Sequence, residues 1–295
     1  MSRAPVIVEA RLNEYTLRER NPHVPFSPEE IASAAADCAE AGAAVVHFHA
    51  RDPESGAPSH DAAVYADAIR RIRAAAPGLI AVPTLGATEI PDSVARCAHV
   101  LALARDPRTR PELAPLDLSS IDVDAYDARR GFLVDALVYQ NPLRGLRGQI
   151  EALRGAGVRP EAVLWSIGSA RRLGALLERG ELEEPLFCEL LVSDLLLSTA
   201  PASVRGLLSL CEFLPRGRRL PWVALASGGS ALHLIPAAVE QGGGIALGLG
   251  DWAYPELGTP TNAAVVAEAA RLVRASGSRP ATASEARELL GLAKA

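Results

Sequence analysis

A chain of 295 residues with 49% apolar side chains and a formal net charge of −5 is too hydrophobic to be disordered or fibrous, and its Arg and Glu are scattered. No single-sign block marks a nucleic-acid or membrane-binding face. No run of about 18 apolar residues is long enough to span a bilayer and no basic start precedes an apolar stretch, so the expectation is a cytoplasmic protein acting on a small molecule.

Short apolar runs alternate with amphipathic helical segments, the pattern of a parallel sheet with helices on its faces. The runs fall at residues 5–12, 43–48, 79–85, 116–123, 132–139, 162–165, 186–192, 222–226 and 245–249. A single-domain (β/α)₈ TIM barrel over residues 1–295 fits, since such barrels take roughly 250 residues. Nine runs for eight strands makes one an excursion, either 132–139 or 116–123. An open doubly wound sheet is the alternative, but no G-x-G-x-x-G follows the first run.

Along the chain, Ser27-Pro28-Glu29-Glu30 offers an N-cap serine, a proline at the first helical position and a capping-box glutamate ahead of apolar Ile31, Ala34, Ala35 and Cys38. His47-Phe48-His49 then ends the second run. Residues two apart in a strand share a face, so both imidazoles point into a barrel and form half of a zinc or other divalent metal site, each needing an acceptor for its second ring nitrogen. The alternative is two core histidines satisfied by backbone carbonyls. Arg51 follows, either as a cation for a substrate carboxylate or as a loop residue. Thr84, Ser119, Ser120, Asp122 and Ser166 are polar candidates at strand ends. Cys38, Cys97, Cys188 and Cys211 have no paired spacing and read as buried small hydrophobes. Gly228-Gly229-Ser230 could cradle a phosphate at a helix start, such as a phosphate of CoA, or be a flexible loop. Gly242-Gly243-Gly244 marks a tight approach before the last strand, and Thr259-Pro260-Thr261-Asn262 begins the last long helix.

Much of this resembles the β-keto acid cleavage enzymes of the 3-keto-5-aminohexanoate type. The resemblance is carried by Ser27-Pro28-Glu29-Glu30, Glu40-Ala41-Gly42-Ala43, Val46-His47-Phe48-His49-Ala50-Arg51-Asp52, Pro160-Glu161-Ala162 with Leu164-Trp165, Gly248-Leu249-Gly250-Asp251, and Gly258-Thr259-Pro260 with Asn262. It implies a zinc-dependent barrel, usually a homotetramer, that condenses a β-keto acid with acetyl-CoA to give acetoacetate and an acyl-CoA. It further implies that His47 and His49 hold the metal, that Asp251 is the general base and that Glu14 lines the substrate pocket.

This chain departs from the family at two positions. Ahead of the base the family carries an arginine, three residues, then Glu-Asp, the glutamate completing the metal site; here Ala246 and Gly250 replace the arginine and the glutamate. Catalytic zinc normally has three protein ligands, so either another group supplies the third or the metal is weakly held; Glu189 and Glu9 are the candidates, and each could instead pair with Arg11. On this reading, Gly250→Glu should tighten the metal if the shell is incomplete. Two other functions stay open: a metal-dependent hydrolase or aldolase working without CoA, and an inactive barrel that only binds.

Overall fold

The computed structural model describes residues 3–134 and 136–293. Its barrel strands are β1 (Val8–Arg11), β2 (Val45–Phe48), β3 (Ile80–Pro83), β4 (Leu113–Asp117), β5 (Arg159–Leu164), β6 (Cys188–Ser193), β7 (Trp222–Ser227) and β8 (Gly244–Leu247). The helices are α1 (Pro28–Ala41), α2 (Ala62–Ala75), α3 (Ala98–Leu103), α4 (Leu143–Gly155), α5 (Ile167–Glu178), α6 (Val204–Glu212), α7 (Ile235–Glu240), α8 (Asn262–Ala275) and α9 (Ala283–Leu290). All paired barrel strands run parallel, in the order β3-β2-β1-β8-β7-β6-β5-β4. The last strand thus returns to the first, and the fold is the expected TIM barrel. No helix among the described residues is long and apolar enough to cross a membrane.

The hydrogen-bonded order ends at β3 and β4, which lie against each other across the last seam. Two prolines explain why the ladder stops there. The amides of Ile80 and Thr84 donate toward β2, to Ala44 and Phe48, so alternation turns position 83 toward β4. Likewise Leu118 donates to Val163 on β5, which turns position 115 toward β3. Pro83 and Pro115 therefore each present an edge without an N–H where the two strands meet.

The run 116–123 overlaps β4 only at its end, because the strand begins at Leu113. The excursion is the segment that follows, folded as two short antiparallel ribbons, Ile121–Asp122 with Val138–Tyr139 and Tyr126–Asp127 with Gly131–Phe132. The run 132–139 is therefore not a barrel strand.

Alternation sorts the strand residues into two cores. Ile7, Val45, Ile80, Leu113, Val223 and Ala246 form the interior cluster, closed by Ala286 and Leu290 of α9. Val8, Ala10, Val46, Leu190 and Ala224 face the helices and meet Ile31, Ile69 and Val266. Each such buried Leu, Ile or Val contributes about 1.5–3 kcal/mol. The capping box on α1 forms as read: Ser27 accepts from the Glu30 amide at 3.2 Å, and Glu30 accepts from the Ser27 amide at 2.9 Å. At Gly244 an added Cβ would lie 1.9 Å from the Ile7 carbonyl oxygen, so β8 packs against β1 only with glycine there. Cys38, Cys97 and Cys188 are buried, Cys211 is partly exposed, and all four are free thiols.

Candidate active site

Because β8, β1 and β2 are neighbours, their carboxyl ends bring His47, His49, Glu14 and Asp251 to one barrel mouth. Two buried amides hold these ends together. Asn13 donates to the His49 carbonyl and accepts from the His49 amide, both at 2.9 Å. Asn262, the first residue of α8, accepts from the Leu249 amide at 2.8 Å and donates to the Leu12 carbonyl at 3.0 Å. Neither Asn13 nor Asn262 has a site role that local sequence pattern reveals.

The third potential ligand is Glu14, not Glu189 or Glu9. One ligand atom each from Glu14, His47 and His49 lies within 4.8 Å of the others. Glu14 Oε2 stands 2.7 Å from His49 Nε2, and Oε1 stands 3.3 Å from His47 Nε2. Yet Glu14 Oε1 and His49 Nε2 are buried with no hydrogen-bond partner among the described residues. Ligand atoms crowded together without hydrogen bonds suit a cation, which would satisfy them all. Glu14 also holds a φ of 32°, a strained conformation for a non-glycine residue and one that tends to mark functional positions.

Protonation states agree with a cation site. Burial pushes His47 down to about 4, leaving it neutral as a ligand must be. Burial opposes ionisation of Glu14, but Arg11 and the two imidazoles outweigh it and hold the carboxyl well below its usual range. Among the described residues His47 Nδ1 is buried without the acceptor expected from the sequence. That ring instead packs edge-on against His49, with centroids 5.3 Å apart.

Next to this cluster Arg11 lies among further carboxylates. Arg11 donates from Nη1 to Glu189 Oε1 at 2.7 Å and from Nε to Asp251 Oδ2 at 3.0 Å, and Nη1 approaches Glu9 Oε1 at 3.6 Å. Glu189 and Glu9 are thus arginine partners, the alternative the sequence allowed. Burial raises Glu9 to about 8, Glu189 to about 7 and Asp251 to about 7. Asp251 Oδ1 makes no hydrogen bond among the described residues and is left free to accept a proton.

Glu161 is buried with both oxygens unpartnered among the described residues, and burial, then Glu9 and Glu189, push it well above the usual carboxylate range. A carboxyl raised on folding contributes stability that is full below its unfolded value and is lost as pH rises through its folded value. Glu161→Gln should therefore melt progressively higher relative to the native protein from pH 5 to pH 8, by about 1–3 kcal/mol at the upper end. A melting difference that stays flat across that range would contradict the burial argument.

Three expectations are corrected. Arg51 does not face the site: it is buried, and its guanidinium donates to the carbonyls of Gly56, Asn13, Glu14 and Thr16, bracing the strained turn that carries Glu14. The Gly228-Gly229-Ser230 loop, expected as a phosphate cradle at a helix start or a flexible loop, leads into a three-residue 3₁₀ turn and a six-residue helix. Its Gly228 amide already donates to the Asp251 carbonyl at 3.3 Å, and Ser230 Oγ accepts from Leu232. Finally, a Cβ on Gly250 would sit 2.5 Å from Glu14 Cγ. A glutamate at 250 therefore collides with Glu14.

Among the other polar candidates, Ser166 caps α5 and Thr84 accepts from the Gly86 amide at 2.9 Å. Ser120 accepts from the Asn141 amide at 2.7 Å.

Comparisons with known proteins give the family and the fold. A family profile described as beta-keto acid cleavage enzyme matches residues 5–292. The chain is 29% identical to the 3-dehydrocarnitine:acetyl-CoA trimethylamine transferase of Rhizobium meliloti, covering 93% of this chain and 92% of that protein. It is 26% identical to the 3-keto-5-aminohexanoate cleavage enzyme of Fusobacterium nucleatum, covering 98% of both. Among solved structures, apo ObcA superimposes with a TM-score of 0.73 at 19% identity, over 92% of this chain and 66% of that one, about two thirds of its length. A type I 3-dehydroquinate dehydratase from Clostridium difficile shares the barrel at a TM-score of 0.52 and 8% identity, over 93% of this chain and 94% of that one.

Proposed function

The chain belongs to the β-keto acid cleavage enzyme family, and from that premise we propose that it condenses a β-keto acid with acetyl-CoA to give acetoacetate and an acyl-CoA. The observation that carries this reading is the meeting of Glu14, His47 and His49 with a free Asp251 oxygen at one barrel mouth. Relatives named as acetyl-CoA-dependent transferases support the co-substrate.

Glu14, His47 and His49 would hold a divalent metal, zinc by family likeness, which when bound supplies Lewis acidity to a ketone. Asp251 Oδ1 takes the proton from the carbon between the two carbonyl groups of the keto acid, leaving a carbon nucleophile that attacks the acetyl thioester and expels CoA thiolate. The thiolate then attacks the original ketone and breaks its bond to that carbon, so that acyl-CoA leaves and Asp251 returns the proton to give acetoacetate. With its value raised to about 7 by burial, Asp251 is matched to proton transfer near neutral pH. Arg51 and Asn13 keep the Glu14 turn and the end of β2 in place. The homotetramer of the family is proposed for this chain too: Phe132, Leu133 and Val138 expose apolar surface on the excursion, which a second copy would cover.

Elemental analysis and product assays test the reading together. One divalent metal per chain and acyl-CoA formation that requires acetyl-CoA are expected. Keto-acid consumption that ignores acetyl-CoA would replace the reading with a hydrolase or aldolase, and a metal-free chain without turnover would leave a binding barrel.

A further inference from the structure

Arg11 meets four carboxylates that the proposed proton transfer uses unequally. It ends β1, is 8% exposed, and donates upward to Asp251 Oδ2 and sideways to Glu189 Oε1. Its Nη2 stands 3.0 Å from Glu14 Oε1 as an ion pair without forming a hydrogen bond, while Glu9 Oε1 lies 3.6 Å from Nη1. Two consequences follow from these contacts. First, Arg11 occupies one Asp251 oxygen and leaves the other open, which fixes the direction in which that carboxylate accepts a proton. Second, Glu14 Oε1 is also the oxygen that faces His47 Nε2 at 3.3 Å, so guanidinium and metal draw on the same atom.

We infer that Arg11 is a positioning residue that aims Asp251 at the substrate while competing with the bound metal for Glu14; the inference rests on the metal-and-base reading above. The two effects have opposite signs. Removing the guanidinium lets Asp251 rotate out of line, which slows turnover. The same removal releases Glu14 Oε1 to the metal, which holds or tightens metal binding. A residue needed only to fold the barrel would weaken both together. The guanidinium geometry matters as well, since a planar fork serves several carboxylates at fixed angles and an ammonium does not.

The test uses the full-length protein, native, Arg11→Gln and Arg11→Lys, each demetallated. Zn²⁺ affinity is read by competition with a chromophoric chelator, melting temperature by calorimetry, and kcat and KM with keto acid and acetyl-CoA. In Arg11→Gln, kcat should fall about 10²–10³-fold, as when one preorganised electrostatic contact is lost. KM should change little, and the Zn²⁺ Kd should equal or fall below the native value. Arg11→Lys keeps the charge and should restore the native Zn²⁺ Kd with only part of kcat, and it carries the same readouts if Arg11→Gln does not fold. A Zn²⁺ Kd weakened along with kcat, or a kcat at the native level, would overturn the inference alone. A native protein that binds no Zn²⁺ and turns over no keto acid would overturn the underlying reading and the inference with it.

Discussion

Asp251→Asn is expected to lose about 10²–10⁴ in kcat while keeping its fold and metal. An amide preserves the shape and one hydrogen bond from Arg11 but cannot take up a proton. The carboxylate makes no local cap: its hydrogen bond runs to Arg11, 240 residues away in sequence. The loss should therefore appear in turnover, measured by initial rates over a pH series. Native activity should rise as pH passes about 7, where the buried acid ionises, and the variant should show no such rise. The stability effect runs the other way. A carboxyl raised from 3.8 to about 7 on folding stabilises most fully below 3.8 and loses that contribution toward pH 7, so the asparagine variant should gain in relative melting temperature across that window. Full turnover with a lowered melting temperature would assign Asp251 a purely structural role.

Gly250→Ala is the second large effect. A methyl group there would stand 2.5 Å from Glu14 Cγ, 2.9 Å from the Glu14 amide nitrogen and 3.1 Å from that of Asn13. Backbone on that side cannot yield, because Asn13 and Arg51 pin it through hydrogen bonds of 2.9 Å to His49 and 3.0 Å from Arg51 to the Asn13 carbonyl. The Glu14 side chain must swing away from His47 and His49. Metal affinity should fall about 10–100-fold, the range seen when groups that orient a ligand are disturbed, and Glu14→Gln should reproduce the loss with Gly250 intact. Gly250→Glu alone should not tighten binding, whereas the exchange Glu14→Gly with Gly250→Glu frees the space and should recover much of it. Isothermal titration with Zn²⁺ decides the matter: an alanine variant with the native Kd would place the third ligand elsewhere.

What neighbouring residues determine among themselves was legible in the sequence. His47 and His49 share a face because strand side chains alternate, Ser27 and Glu30 form their box within one helical turn, and Asp251 follows the last strand, which in a barrel opens at the mouth. Spacing of a few residues sets each of these, whatever the rest of the chain does.

Tertiary structure decided what depended on distant partners. Glu14 becomes a ligand candidate only because β8 closes onto β1 and leaves a glycine beside it, 236 positions later. Arg11 becomes a hub because Glu189 arrives from β6 and Asp251 from the loop after β8. Arg51, legible as a loop cation, is buried under backbone carbonyls that the β1 turn folds over it. The seam between β3 and β4 follows from two prolines, each unremarkable in its own strand, that barrel closure sets edge to edge. Local periodicity fixes which way a side chain points, but the groups it meets are set by closure of the ring, which brings residues more than 200 positions apart within hydrogen-bonding reach.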